Sequence, residues 1–126
     1  MAALSVANLS ITDIPQTKTA RCTAKVKITF TSYEMEEMKQ GLRFRLDCSL
    51  YGDDPVWDDH LFHYASKFFP DASPANPENP VFDAVLGTSL LDEDFGRDEI
   101  YAKFRLRNLY TGSLVTAKSN VVHRSF

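Results

Sequence analysis

No stretch of this sequence approaches the roughly 18 consecutive apolar residues that a membrane-spanning helix needs. Its start, MAALSVANLSITDIP, has neither the basic leader nor the long apolar run of a secretion signal. A cytoplasmic chain is therefore expected, or an exported one if the N-terminus is truncated. There is no internal repeat, and no G-x-S-x-G, P-loop, dinucleotide fingerprint or HExxH motif. A catalytic role would have to rest on residues brought together from afar, so a non-enzymatic protein is the first expectation and a metal-dependent enzyme a distant one. Histidine is scarce too, at three residues. His60 and His63 would share a helix face but point to opposite faces of a regular strand, which argues against zinc. Bases are nearly missing from residues 47–99, which hold thirteen of the seventeen acids against only Lys67 and Arg97. The remaining residues carry twelve bases and four acids. Two opposed fields on one surface bear on partners, not on fold.

What is present is strand pattern. With 126 residues, 44% apolar and 25% charged, the chain suits one domain with a real core. In ARCTAKVKITFT, Cys22, Ala24, Val26, Ile28 and Phe30 alternate with polar residues. GLRFRLDCSLYG places Leu42, Phe44, Leu46, Cys48 and Leu50 on one face and Arg43, Arg45, Asp47 and Ser49 on the other. EIYAKFRLRN turns Ile100, Ala102, Phe104 and Leu106 inward and Tyr101, Lys103, Arg105 and Arg107 outward. NLYTGS then suits a hairpin turn into SLVTAKSNVV. ALSVANLSI is a first strand with a bulge near Ala7 and Asn8, and VFDAVLGTSL another with Gly87 near its end. TSYEMEEMKQG combines Thr31 and Glu34 at capping-box spacing with Gly41 as a stop, which predicts a short helix near residues 32–40. WDDHLFHYASKFF fits a helix or a strand, and the strand is preferred because its neighbours are strands. PDASPANPENP, with four of the six prolines, reads as a surface strap without ladder donors.

These elements predict an all-β fold, a two-sheet antiparallel β-sandwich, immunoglobulin-like or C2-like. In an immunoglobulin-like trace the strands near 22–31, 42–51 and 100–108 are second, third and sixth. The buried Trp and the cysteine pair of true immunoglobulin domains are missing, so the resemblance is to the architecture. Cys22 and Cys48 fall at one level on inward faces of opposite sheets, and two free, buried thiols are expected.

The connection after the third strand (Asp53, Asp54, Asp58, Asp59) and the one before the sixth (Asp92, Asp94, Asp98) leave from the same end of that trace. DEDFGRDE resembles a calcium loop of the C2-domain family, and DEIYAKFRL is similar to the sequence with which that family enters the next strand. The resemblance implies calcium held by carboxylates of these turns; solvated turns are the competing reading. On the outward side, Arg43, Arg45, Lys103, Arg105 and Arg107 form a basic face suited to an acidic protein or another anionic ligand, and weakly to a membrane surface. Nucleic acid is disfavoured by the negative net charge and by Tyr101 being the one interleaved aromatic. The expectation is a binding module, with calcium as its one candidate cofactor. The alternative is a homo-oligomeric assembly protein that pairs through a sheet edge or patch, with VVHRSF as its arm.

Overall fold

Alternation becomes ladder from the first residues. The computed structural model describes residues 1–53, 59–91 and 98–124. Strands β1 (Ala3–Ile14) and β2 (Thr19–Thr29) form an antiparallel hairpin whose register slips between Ser5 and Asn8, the bulge expected there. Val6 in that bulge has φ 51°, a conformation β-branched residues rarely adopt. The predicted helix is α1 (Ser32–Lys39). Thr31 Oγ1 accepts from Glu34 N–H at 3.1 Å while Glu34 Oε1 accepts from Thr31 N–H at 2.8 Å, a complete capping box. The second carboxylate oxygen accepts from Ala2 N–H at 3.0 Å, so the cap also ties down the start of the chain. Gly41, at φ 113°, turns the chain out of the helix, and Leu42 N–H returns to the Glu37 carbonyl at 2.9 Å.

The strand near residues 42–51 is β3 (Phe44–Gly52). The ambiguous segment is strand in two pieces, β4 (Asp59–His63) and β5 (Lys67–Phe69), both antiparallel to β3. Then come β6 (Val81–Gly87), a single turn α2 (Thr88–Leu91), β7 (Asp98–Asn108), β8 (Leu114–Lys118) and β9 (Val122–Arg124). One sheet has the order β1-β2-β6; the other has β4-β3-β7-β8, with β5 also on β3 and β9 on β7. This is the expected two-sheet antiparallel sandwich, with strands 42–51 and 100–108 adjacent in one sheet and 22–31 in the other.

The inward parities hold. Phe30, Phe44, Leu46, Phe104 and Leu106 are buried together with Cys22, Ile28, Cys48, Leu50 and Ile100. Tyr64, between β4 and β5, links the layers: its N–H donates to the Cys48 carbonyl at 3.0 Å, and its phenol donates to the Cys22 carbonyl at 2.8 Å. The ring packs between Phe62 and Phe82, with centroids at 5.0 and 5.5 Å.

The proline-rich strap departs from expectation in one respect. Glu78 exchanges both backbone bonds with Ile28, at 2.8 and 2.9 Å, so the strap does supply a ladder donor. Asn76 adds a side-chain imitation of the same pairing to Phe30, both bonds at 2.9 Å. The cause is that the proline-free dyads within the strap keep their N–H groups. The outer edge of β1 is likewise closed: Asn120 takes both backbone groups of Leu9, and Arg124 donates to the Ile11 carbonyl at 2.6 Å. Among the described residues no helix is long and apolar enough to cross a membrane.

Candidate functional site

Strand register sorts the outward residues of the larger sheet into rows. His63 stands opposite Ser49, Ser49 opposite Lys103, and Lys103 opposite Lys118. One step along, Asp47 faces Arg105 and Arg105 faces Thr116; beyond it, Arg45 faces Arg107. On the other side, His60, Tyr51 and Tyr101 make an aromatic row. Rows lie about 6.7 Å apart, the rise of two strand residues. Together Arg45, Asp47, Ser49, Tyr51, His60, His63, Ser66, Lys103 and Arg105 line an open concavity of about 470 Å³.

Charge here is unbalanced. Asp47 is occupied on both oxygens: Arg45 Nε donates to one at 3.1 Å, and the Ser66 hydroxyl makes a short bond to the other. Neither Lys103 nor Arg105 has an ion-pair partner among the described residues. Two cross-strand pairs, Arg45 with Arg107 and Lys103 with Lys118, set like charges directly opposite, an arrangement that destabilises a sheet. Lys118 is drawn aside, its Nζ 4.0 Å from the Tyr101 ring centroid. That contact and the stacked Tyr51 ring at 5.7 Å explain why Tyr101, although outward in parity, is only 5% exposed.

Of the five basic residues expected on this face, Arg45, Lys103 and Arg105 line the concavity. Arg107 instead donates to the Gly112 carbonyl of its own hairpin at 3.0 Å. Arg43 precedes β3, is exposed, and lies outside the concavity. The histidines overturn the sequence rule applied to them. A register slip at Leu50/Tyr51, with Leu50 opposite Phe62 but Tyr51 opposite His60, leaves Leu61 as an extra residue. Both imidazoles therefore reach the same concave face, with ring centroids 6.4 Å apart. His63 Nδ1 lies 2.7 Å from Ser49 Oγ. Lys118 was legible from the hairpin parity but was not placed on this face by the sequence reading.

At the acidic end, Asp53 N–H donates to the Glu99 carbonyl at 2.7 Å, while Gly52 pairs with both Asp59 and Ile100. The connections after β3 and before β7 thus leave from one end of the sandwich. Asp54, Asp58, Asp92 and Asp94 lie outside the described residues; Asp98 opens β7 opposite Arg124. Among the described residues, no three His, Cys, Asp or Glu side chains gather as a metal would require.

Cys22 and Cys48 are free and buried. Burial, with Asp83 and Asp13 adding to it, pushes the Cys22 thiol up to about 11, and burial pushes Cys48 up to about 12. Neither is poised as a nucleophile.

No known family matches the chain, and no curated protein does. Among solved structures it is similar to a Bordetella pertussis protein provisionally named ApaA, at 7% identity over 100% of this chain and 94% of that one, with a TM-score of 0.43. A likeness that loose carries no functional argument.

Proposed function

We propose that this chain is a non-enzymatic binding module of immunoglobulin-like strand order whose β4-β3-β7-β8 face holds an anionic ligand. The single observation that carries the reading is the pair of cations Lys103 and Arg105, without an ion pair among the described residues, on a concave wall where Asp47 is already neutralised by Arg45. Repulsion between Lys103 and the opposed Lys118 is a standing cost to the sheet, and an anion seated beside Lys103 lowers it. Hydroxyl and imidazole groups at Ser49, Ser66, His60 and His63 supply hydrogen-bonding partners around the charge. The test is binding of poly-L-glutamate, measured by light scattering at low and moderate salt. Lys103→Glu with Arg105→Glu should abolish it, and unchanged binding by that double variant would sink the reading.

A second reading concerns the acidic end. The backbone bond between Asp53 and Glu99 joins the strand ends from which the two carboxylate-rich connections run, and this supports a calcium site built from both.

A further inference from the structure

We infer that the group seated on this face is a phosphate monoester, bound through Lys103, Arg105 and Ser49, with His63 orienting the serine hydroxyl; this inference rests on the anion-binding reading above. Charge count is the first argument. Asp47 and Arg45 cancel, so the concave wall offers Lys103 and Arg105 as a surplus of two. A phosphate monoester near neutral pH carries close to two negative charges and three acceptor oxygens. A carboxylate has one charge and two oxygens, which one guanidinium satisfies side by side, leaving the ammonium unused.

The directions of the donors are the second argument. Lys103 and Arg105 are two apart on β7 and so rise from the same face, while Ser49 stands directly across from Lys103 on β3. His63 stands across from Ser49 on β4. Donors to the anion therefore come from two strands, Lys103 and Arg105 on β7 and Ser49 on β3, and converge from separate points as a tetrahedral group accepts them, while His63 on β4 orients the serine hydroxyl. The Ser49–His63 bond adapts to the charge. With the proton on His63 Nδ1, the imidazole donates to Ser49 Oγ, and the hydroxyl hydrogen is free to point at the anion. A bound phosphate oxygen selects that arrangement over the reverse one, in which the serine proton is spent on the ring. Lys118, held on the Tyr101 ring, flanks the seat without crowding it.

The same chemistry is carried by a soluble ester or by a lipid headgroup, and titration distinguishes them. Calorimetry with inorganic phosphate at constant ionic strength should give saturable binding, with sodium acetate giving none. Lys103→Gln and Arg105→Gln should each weaken phosphate binding at least about tenfold. Lys27→Gln, on the opposite sheet, should leave it unchanged. Because both substituted side chains reach solvent, the variants are expected to fold. Amide shifts on phosphate addition, centred on Ser49, Lys103 and Arg105 in the wild type, give a reading independent of them. Glycerol 3-phosphate binding as well as phosphate assigns a soluble ester. Capture by phosphatidic-acid vesicles but not by phosphatidylcholine vesicles, tighter than glycerol 3-phosphate, assigns a headgroup. If poly-L-glutamate binds through this face and phosphate does not, the phosphate inference is overturned and the anion-binding reading stands. Failure of both overturns both, and phosphate binding insensitive to the Gln variants places the ion elsewhere and overturns this inference.

Discussion

Replacing Tyr64 by Phe removes one oxygen from the contact that ties the sheets together. The phenol donates to the Cys22 carbonyl at 2.8 Å on β2, while the backbone of the same residue holds Cys48 on β3. The ring stays: Phe fills the same space between Phe62 and Phe82, so no cavity opens. What is lost is a buried hydrogen bond, about 1 kcal/mol net, together with the cost of a buried carbonyl deprived of one partner, for a total of about 1–3 kcal/mol. Unfolding entropy near 2.1 cal/mol/K per residue gives about 0.26 kcal/mol/K for 126 residues, so a loss of about 2 kcal/mol lowers Tm by roughly 8 °C. Urea unfolding should show a lower midpoint with an unchanged slope, because the surface exposed on unfolding is the same. Tyr33→Phe, at an exposed helix position, should shift stability by less than about 0.5 kcal/mol. If Tyr64→Phe costs no more than Tyr33→Phe, the Cys22 carbonyl is adequately bonded without the phenol and the inter-sheet tie has no energetic meaning.

Phe104→Ala should cost about 3–5 kcal/mol by urea unfolding, since the ring is wholly buried beside Phe82; a loss under about 1 kcal/mol would contradict the core assignment. Thiol titration should find no reactive group in the native protein and two after unfolding, whereas a native mass two hydrogens short would reveal a bridge. Stability should fall as pH rises above about 8.5, where unfolded thiols ionise while Cys22 and Cys48 stay protonated towards 11 and 12; the unfolded state then holds fewer protons and is favoured. A flat urea midpoint from pH 8 to 10.5 would contradict this, and the Tyr64 phenol, raised chiefly by burial and then by the nearby thiols, acts in the same direction above about pH 10. Calcium at a hundredfold excess over Kd should add about 2.7 kcal/mol if the acidic connections bind it, and Asp94→Asn or Asp98→Asn should remove that gain. Equal melting shifts from calcium chloride and from sodium chloride of matched ionic strength would eliminate the calcium reading.

Periodicity by itself determined the strands and the inward residues. A period of two needs only local information, and the stretches from Cys22 to Phe30, Phe44 to Leu50 and Ile100 to Leu106 kept their faces because one register slip would expose every apolar residue in them. The Thr31–Glu34 box and Gly41 were equally local, and α1 begins and ends at them. The basic residues of β3 and β7 were legible by the same parity, down to Arg45, Lys103 and Arg105 on one wall. Tertiary structure decided what no local rule contains. The extra residue at Leu61 brought His60 and His63 to one face, because a bulge shifts parity midway along a strand. Pairing chose which charges cancel: Asp47 was taken by Arg45 and Ser66, leaving Lys103 and Arg105 without ion pairs among the described residues. Tyr101 kept its outward parity and was nonetheless buried, because Tyr51 and Lys118 come from other strands to cover it. Outside such bulges, sequence sets which way a side chain points; only the assembled sheets decide what it meets there.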